Sequence, residues 1–115
     1  MNNKKICVVG AGSWGCNHIR TLEELGSLGG IVDANQDSLK KFSNKYPNTI
    51  CFNNLDEAIS YGFDGFVVST PSETHFTIAQ KIINNKFSVL VEKPITLNTS
   101  DAKILIDDAL SNNVN

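Results

Sequence analysis

Ile6-Cys7-Val8-Val9-Gly10-Ala11-Gly12-Ser13-Trp14-Gly15 decides the reading of this chain. Its first four residues, three of them β-branched, predict a strand. Gly10, Gly12 and Gly15 then fall at Gly-x-Gly-x-x-Gly spacing. A segment with Ile19, Leu22 and Leu25 at helical spacing follows. A second apolar run, Gly30-Ile31-Val32, ends in Asp33, 18 residues past Gly15. Strand, glycine turn, helix, strand and acid, in that order, form the fingerprint of a dinucleotide-binding domain.

Each glycine has its own physical task. Gly10 makes the tight exit from the strand, Gly12 leaves room for a pyrophosphate against the backbone, and Gly15 lets the helix approach the sheet. The unpaired N–H groups of the first helical turn and the positive end of the helix dipole face the phosphates. Ser13 can cap that helix or donate to a phosphate. A carboxylate at Asp33 accepts from the hydroxyls of an adenosine ribose and repels the 2′-phosphate of NADP. Ala34-Asn35-Gln36 follows with no adjacent Lys or Arg, so the expected cofactor is NAD. The bland alternatives are a glycine turn of purely structural use and a solvated loop acid.

At 115 residues the chain is expected to be one domain, and 41% hydrophobic residues are enough for a core. A net charge of −2 with mixed signs gives no footprint for nucleic acid or for an anionic membrane. No run of 18 apolar residues is present to span a bilayer. Met1-Asn2-Asn3-Lys4-Lys5 leads into a strand and not into a secretory core, which makes the cytoplasm the expected location. Cys7, Cys16 and Cys51 show no Cys-x-x-Cys spacing, and His18 and His75 complete no metal cluster. The thiols are read as reduced and structural, and no metal site is expected.

Strands are predicted over 4–9, 28–33, 49–52, 65–69 and 88–91. Helices are predicted over 13–26, 37–46, 55–61, 72–84 and from Thr99 or Ser100 onward. Gly26 and Gly62 are expected to end helices, Asn54 and Ser72 to cap them, and residues 112–115 to fray. Alternating strands and crossover helices make the fold class α/β: a doubly wound, five-stranded parallel-sheet Rossmann domain. Ligands of such sheets bind outside the carboxyl ends of the strands. Two further segments fall there. Thr70-Pro71-Ser72-Glu73-Thr74-His75 leaves the fourth strand, with Pro71 setting the chain direction and His75 placed to donate to a ribose, a carboxamide or a substrate. Glu92-Lys93-Pro94 leaves the fifth, where a lysine can hydrogen-bond a substrate hydroxyl. Taken alone, a packed helix-face histidine and a surface salt bridge explain these residues equally well.

Together, Gly10-Ala11-Gly12-Ser13-Trp14-Gly15, Asp33, Thr70-Pro71-Ser72-Glu73-Thr74-His75 and Glu92-Lys93-Pro94 resemble the N-terminal domain of the glucose–fructose oxidoreductase / inositol dehydrogenase (Gfo/Idh/MocA) family across nearly the whole chain. The resemblance implies an NAD-dependent dehydrogenase acting on a sugar, cyclitol or sugar nucleotide. It places Gly10, Gly12, Ser13, Trp14 and Gly15 at the pyrophosphate and Asp33 at the adenosine ribose. Thr70, Pro71 and His75 would line the nicotinamide side. Glu92 would meet the nicotinamide ribose, and Lys93 would position and polarise the substrate hydroxyl. The Trp14-Gly15-x-Asn17-His18 run looks like members that oxidise UDP-linked amino-sugar uronates, although His18 itself reads as a helix-surface residue.

Family members carry a second α/β domain that supplies most substrate contacts and the oligomer interface. This chain stops at Asn115, before the sixth strand of the family's sheet. It is therefore read as the truncated N-terminal part of a larger oxidoreductase, homo-oligomeric when full length, with the fragment itself inactive. Two other readings compete: a non-catalytic module that senses NAD(H), and a methyltransferase with a glycine loop and a ribose-binding acid. A sensor needs neither Lys93 nor His75, and a methyltransferase has no reason for Glu92-Lys93-Pro94.

Overall fold

The computed structural model describes residues 3–115; the reading of the first five residues falls partly on Met1 and Asn2, outside that range. Five strands make one parallel sheet: β1 (Ile6–Val9), β2 (Leu28–Val32), β3 (Ile50–Phe52), β4 (Gly65–Val68) and β5 (Ser88–Val91). Their spatial order is β3-β2-β1-β4-β5. The chain moves outward on one side of β1 and then crosses to the other side, so a switch point lies between β1 and β4. The connecting helices are α1 (Ser13–Glu24), α2 (Gln36–Lys45), α3 (Leu55–Tyr61), α4 (His75–Asn84) and α5 (Thr99–Asn112).

Both sheet faces are covered, as a parallel sheet requires. Side chains alternate along β1: Val8 joins Ile19, Ile31, Leu39, Phe42 and Val67 under α1 and α2. Cys7 and Val9 join Val32, Phe52, Ala58, Phe66, Val68 and Ile82 on the opposite face. A third cluster of Ala79, Ile83 and Leu105 fastens α5 to α4. Gly30 is required by packing: a Cβ there would lie 2.5 Å from the Phe63 ring.

Local chemistry sets the element ends. Asn35, Asn54 and Asn98 cap α2, α3 and α5 by accepting the N–H of Ser38, Glu57 and Asp101. Gly26 and Gly62 adopt positive φ where helices end. Several expectations are corrected. Strand β1 begins at Ile6, where its pairing with Leu28 and Gly65 starts. Ser72 does not cap α4; residues Ser72–Thr74 form a separate 3₁₀ turn, and Thr74 turns its hydroxyl back to Thr70 and Pro71. The C-terminal residues do not fray. Val114 packs on the α4–α5 cluster, and the Asn115 carbonyl accepts the N–H of Val89 at 2.9 Å. None of the helices among the described residues is long and apolar enough to cross a membrane.

Register then positions the site. Val9 pairs with Val32 and Val68, Val32 with Phe52, and Val68 with Val91. That row is the last of the sheet. The residues that follow it are Gly10, Asp33, Asn53, Ser69 and Glu92, and they therefore share one edge.

Candidate cofactor site

The turn out of β1 can be made only by glycine. Gly10 has φ +97°, and a Cβ there would press within 2.9 Å of the Ser69–Thr70 backbone. Gly15 faces the sheet, where a Cβ would lie 1.9 Å from the Gly10 carbonyl oxygen. Gly12 differs: a Cβ there would meet nothing within 4 Å. The backbone is thus open at Gly12 and closed at its two neighbours in the motif. Gly12 is also the N-cap of α1 and provides no side-chain cap; the first turn holds no acid. Among the described residues no side chain caps the α1 N-terminus, which leaves its first-turn N–H groups open to a phosphate.

Asp33 braces this turn from the side. Its Oδ2 accepts the N–H of Ala11 at 2.7 Å and its Oδ1 accepts the N–H of Asn35 at 2.8 Å. Each oxygen keeps a further lone pair for another donor. A cleft of about 430 Å³ opens here, lined by Gly10, Ala11, Gly12, Asp33, Asn53 and Pro71 among others. None of its lining residues is Lys or Arg.

A second hollow of about 200 Å³ adjoins it and shares Ser69 and Thr70 as lining. Trp14, Ser72, His75, Glu92 and Lys93 complete its wall. The Lys93 side chain is exposed, and its ammonium forms no ion pair or hydrogen bond among the described residues. Glu92 is held. Its Oε1 accepts from His18 Nε2 at 2.5 Å, and this bond is the main cause that keeps its carboxyl below the usual glutamate range. Desolvation opposes the shift, while the N–H and charge of Lys93 reinforce it.

The sequence model of the oxidoreductase family's NAD-binding Rossmann fold, Gfo/Idh/MocA, matches residues 4–115. The chain belongs to this family. It is 31% identical to the glucose-6-phosphate 3-dehydrogenase of Bacillus subtilis (strain 168), over 92% of this chain and 30% of that enzyme. Its fold superposes with a TM-score of 0.90 on the UDP-N-acetylglucosamine 3-dehydrogenase GnnA from Acidithiobacillus ferrooxidans, at 26% identity, covering 99% of this chain and 36% of that one. The WlbA dehydrogenase from Bordetella pertussis, solved in complex with NADH and UDP-GlcNAcA, gives a TM-score of 0.91 at 25% identity over 98% of this chain and 36% of its own. The chain thus spans about a third of the length of these relatives.

Within this Gfo/Idh/MocA domain the expected residues divide by place. Gly10, Gly12, Asp33, Thr70 and Pro71 line the larger cleft. Trp14, Thr70, His75, Glu92 and Lys93 line the smaller. Trp14, expected at the pyrophosphate, lies in the first turn of α1, with its side chain 65% exposed at the wall of the second hollow. Ser13 does not cap α1, because it is already the first helical residue. Gly15 is buried and serves the packing of α1 on the turn.

His75, expected to line the nicotinamide side, is a wall residue of the second hollow. It is 2% exposed, and both ring nitrogens face backbone carbonyls: Nδ1 that of Pro94 at 2.7 Å, Nε2 that of Thr70 at 2.9 Å. It ties the segment after β4 to the segment after β5 and has no nitrogen left for a ligand in this geometry. His75→Ala is expected to destabilise the domain by about 2–4 kcal/mol, since it removes the imidazole's hydrogen bond to a backbone carbonyl and opens a cavity at a buried position. Urea denaturation measures this, and a loss below about 0.5 kcal/mol would contradict the brace.

Three contributors were not anticipated. Asn53 and Asn54 line the larger cleft at the end of β3; the rule that ligands bind at strand ends would have pointed to them. His18, expected on the helix surface, instead holds Glu92. Burial raises the Cys7 thiol well above its ordinary range, with Cys51 adding to it, and burial raises Cys51 as well. Neither is poised as a thiolate.

Proposed function

We propose that this chain is the cofactor-binding part of a longer oxidoreductase that moves hydride between NAD and a hydroxyl carbon of a sugar, cyclitol or sugar nucleotide. The observation that carries this is the two-lobed edge: an acid and an open glycine turn at one end, a free lysine at the other, joined across Ser69 and Thr70. The residues fit NAD. Asp33 would take the adenosine ribose, the open face at Gly12 and the α1 N-terminus the pyrophosphate, and Glu92 the second ribose. The charge of Asp33, with no cation in the cleft lining, favours NAD over NADP. Bound there, NAD supplies the hydride acceptor or donor. Lys93 would donate a hydrogen bond to the substrate hydroxyl oxygen, positioning and polarising it as the hydride leaves.

A free ammonium at the second lobe favours an enzyme over a sensor, which has no use for it. A substrate such as a UDP-linked amino sugar is supported by the name of GnnA, a UDP-N-acetylglucosamine 3-dehydrogenase, and by the UDP-GlcNAcA bound to WlbA. The length of the relatives supports a partner domain in the longer protein; that domain would carry the oligomer interface. Three free cysteines suit a cytoplasmic, reducing setting. The test is calorimetry with NADH and S-adenosylmethionine, followed by an NADH-absorbance assay of this chain with NAD and a panel of polyols and sugar nucleotides. Binding of NADH alone, without turnover, is expected. Preference for S-adenosylmethionine would replace the oxidoreductase reading, and a cofactor-dependent rate would overturn the assignment of this chain as the cofactor-binding part alone.

A further inference from the structure

His18 takes no part in the dinucleotide fingerprint, yet α1 carries it to the second lobe. It lies one turn beyond Trp14, so the two share a helix face. Its Nε2–H donates to Glu92 Oε1 at 2.5 Å, joining α1 to the end of β5 across 74 residues of sequence. The two side chains are 27% and 25% exposed, so the bond sits at the rim of the lobe and not in the core. The architecture does not need it: Gly15 and Ile19 already seat α1 on the sheet, and Glu92 N–H already completes the ladder to Val68. Its effect falls on Glu92. A glutamate has three side-chain torsions, and fixing them before a ligand arrives removes an ordering cost from binding. No ion pair joins Glu92 to Lys93 among the described residues.

We propose that His18 is a positioning residue of the second lobe: it holds the Glu92 carboxylate where the nicotinamide-side ribose is met. This rests on the reading of the edge as an NAD site. His18 acts through Glu92 alone, in the way that an outer partner orients a ligand-binding group.

The test compares NADH with ADP, which fills the adenosine and pyrophosphate positions but lacks the second ribose. Calorimetry on wild type, His18→Ala, His18→Gln and Glu92→Gln gives both affinities. His18→Ala is expected to weaken NADH about five- to tenfold while ADP stays within about twofold. His18→Gln, whose amide can still donate to Glu92, is expected to recover most of the loss. In a Glu92→Gln background, His18→Ala is expected to add little. Equal weakening of both ligands would reveal a general role in α1 and overturn the proposal. So would an unchanged NADH affinity, or full additivity with Glu92→Gln. Wild type that binds NADH no more tightly than ADP would overturn the NAD reading of the second lobe, and the proposal with it.

Discussion

Gly15→Ala is expected to cost the domain about 3 kcal/mol of stability and to abolish measurable dinucleotide binding. The added methyl would lie 1.9 Å from the Gly10 carbonyl oxygen and 2.8 Å from its carbonyl carbon. Those are backbone atoms of a turn that is itself pinned against Ser69 and Thr70, so no flexible side chain can yield. Helix α1 must retreat, and its phosphate-facing N–H groups go with it. Gly12→Ala separates the two roles. Its Cβ meets nothing, and φ −78° is ordinary for alanine. It should keep its stability to within about 0.5 kcal/mol. It should nevertheless weaken NADH about tenfold or more, because the methyl stands where the backbone must be bare. Urea denaturation and NADH titration of both variants read the two effects. Wild-type stability in Gly15→Ala would contradict the close packing of α1.

Asp33→Ala is expected to weaken NADH by about 30- to 150-fold, the equivalent of about 2–3 kcal/mol, and to shrink its advantage over NADPH. Two interactions disappear together. One is the acceptor for the ribose hydroxyls, which only NADH has in full. The other is the brace on the Ala11 N–H, whose loss disturbs the glycine turn for either cofactor. The ratio of the two affinities therefore isolates the ribose contact, while the common loss reports the brace. Isothermal titration of wild type and variant with NADH and NADPH measures both. A wild type that prefers NADPH would refute the argument from charge.

What was legible in the sequence was local. The strand, the three glycines and Asp33 could be read because each acts through its own backbone or at a fixed step from it. Asn54 and Gly62 at the ends of α3 were visible for the same reason. Ser13 misled because a serine at the start of a helix looks alike at the N-cap and at the first helical position; the backbone at Gly12 decides between them. His75 was placed at the correct edge, but its role depends on carbonyls 5 and 19 residues away, and no periodicity encodes that. His18 and Glu92 meet across 74 residues, through the topology that lays β1 beside β4 and β4 beside β5. Asn53 was hidden behind the capping signal of its neighbour. The tied C-terminus likewise depends on Ser88 and Val89, more than 20 residues upstream.

The central claim is that one sheet edge holds NAD, adenosine at Asp33 and nicotinamide beside Glu92 and Lys93. Trp14 is the only tryptophan and stands at the second lobe, so its fluorescence reports occupancy there. Titration of the folded chain with NADH, NADPH and ADP is the direct measurement. The account predicts saturable quenching by NADH, a weaker apparent affinity for NADPH, and a much smaller change with ADP. A folded chain whose Trp14 does not respond to NADH, or responds to ADP just as fully, would contradict it.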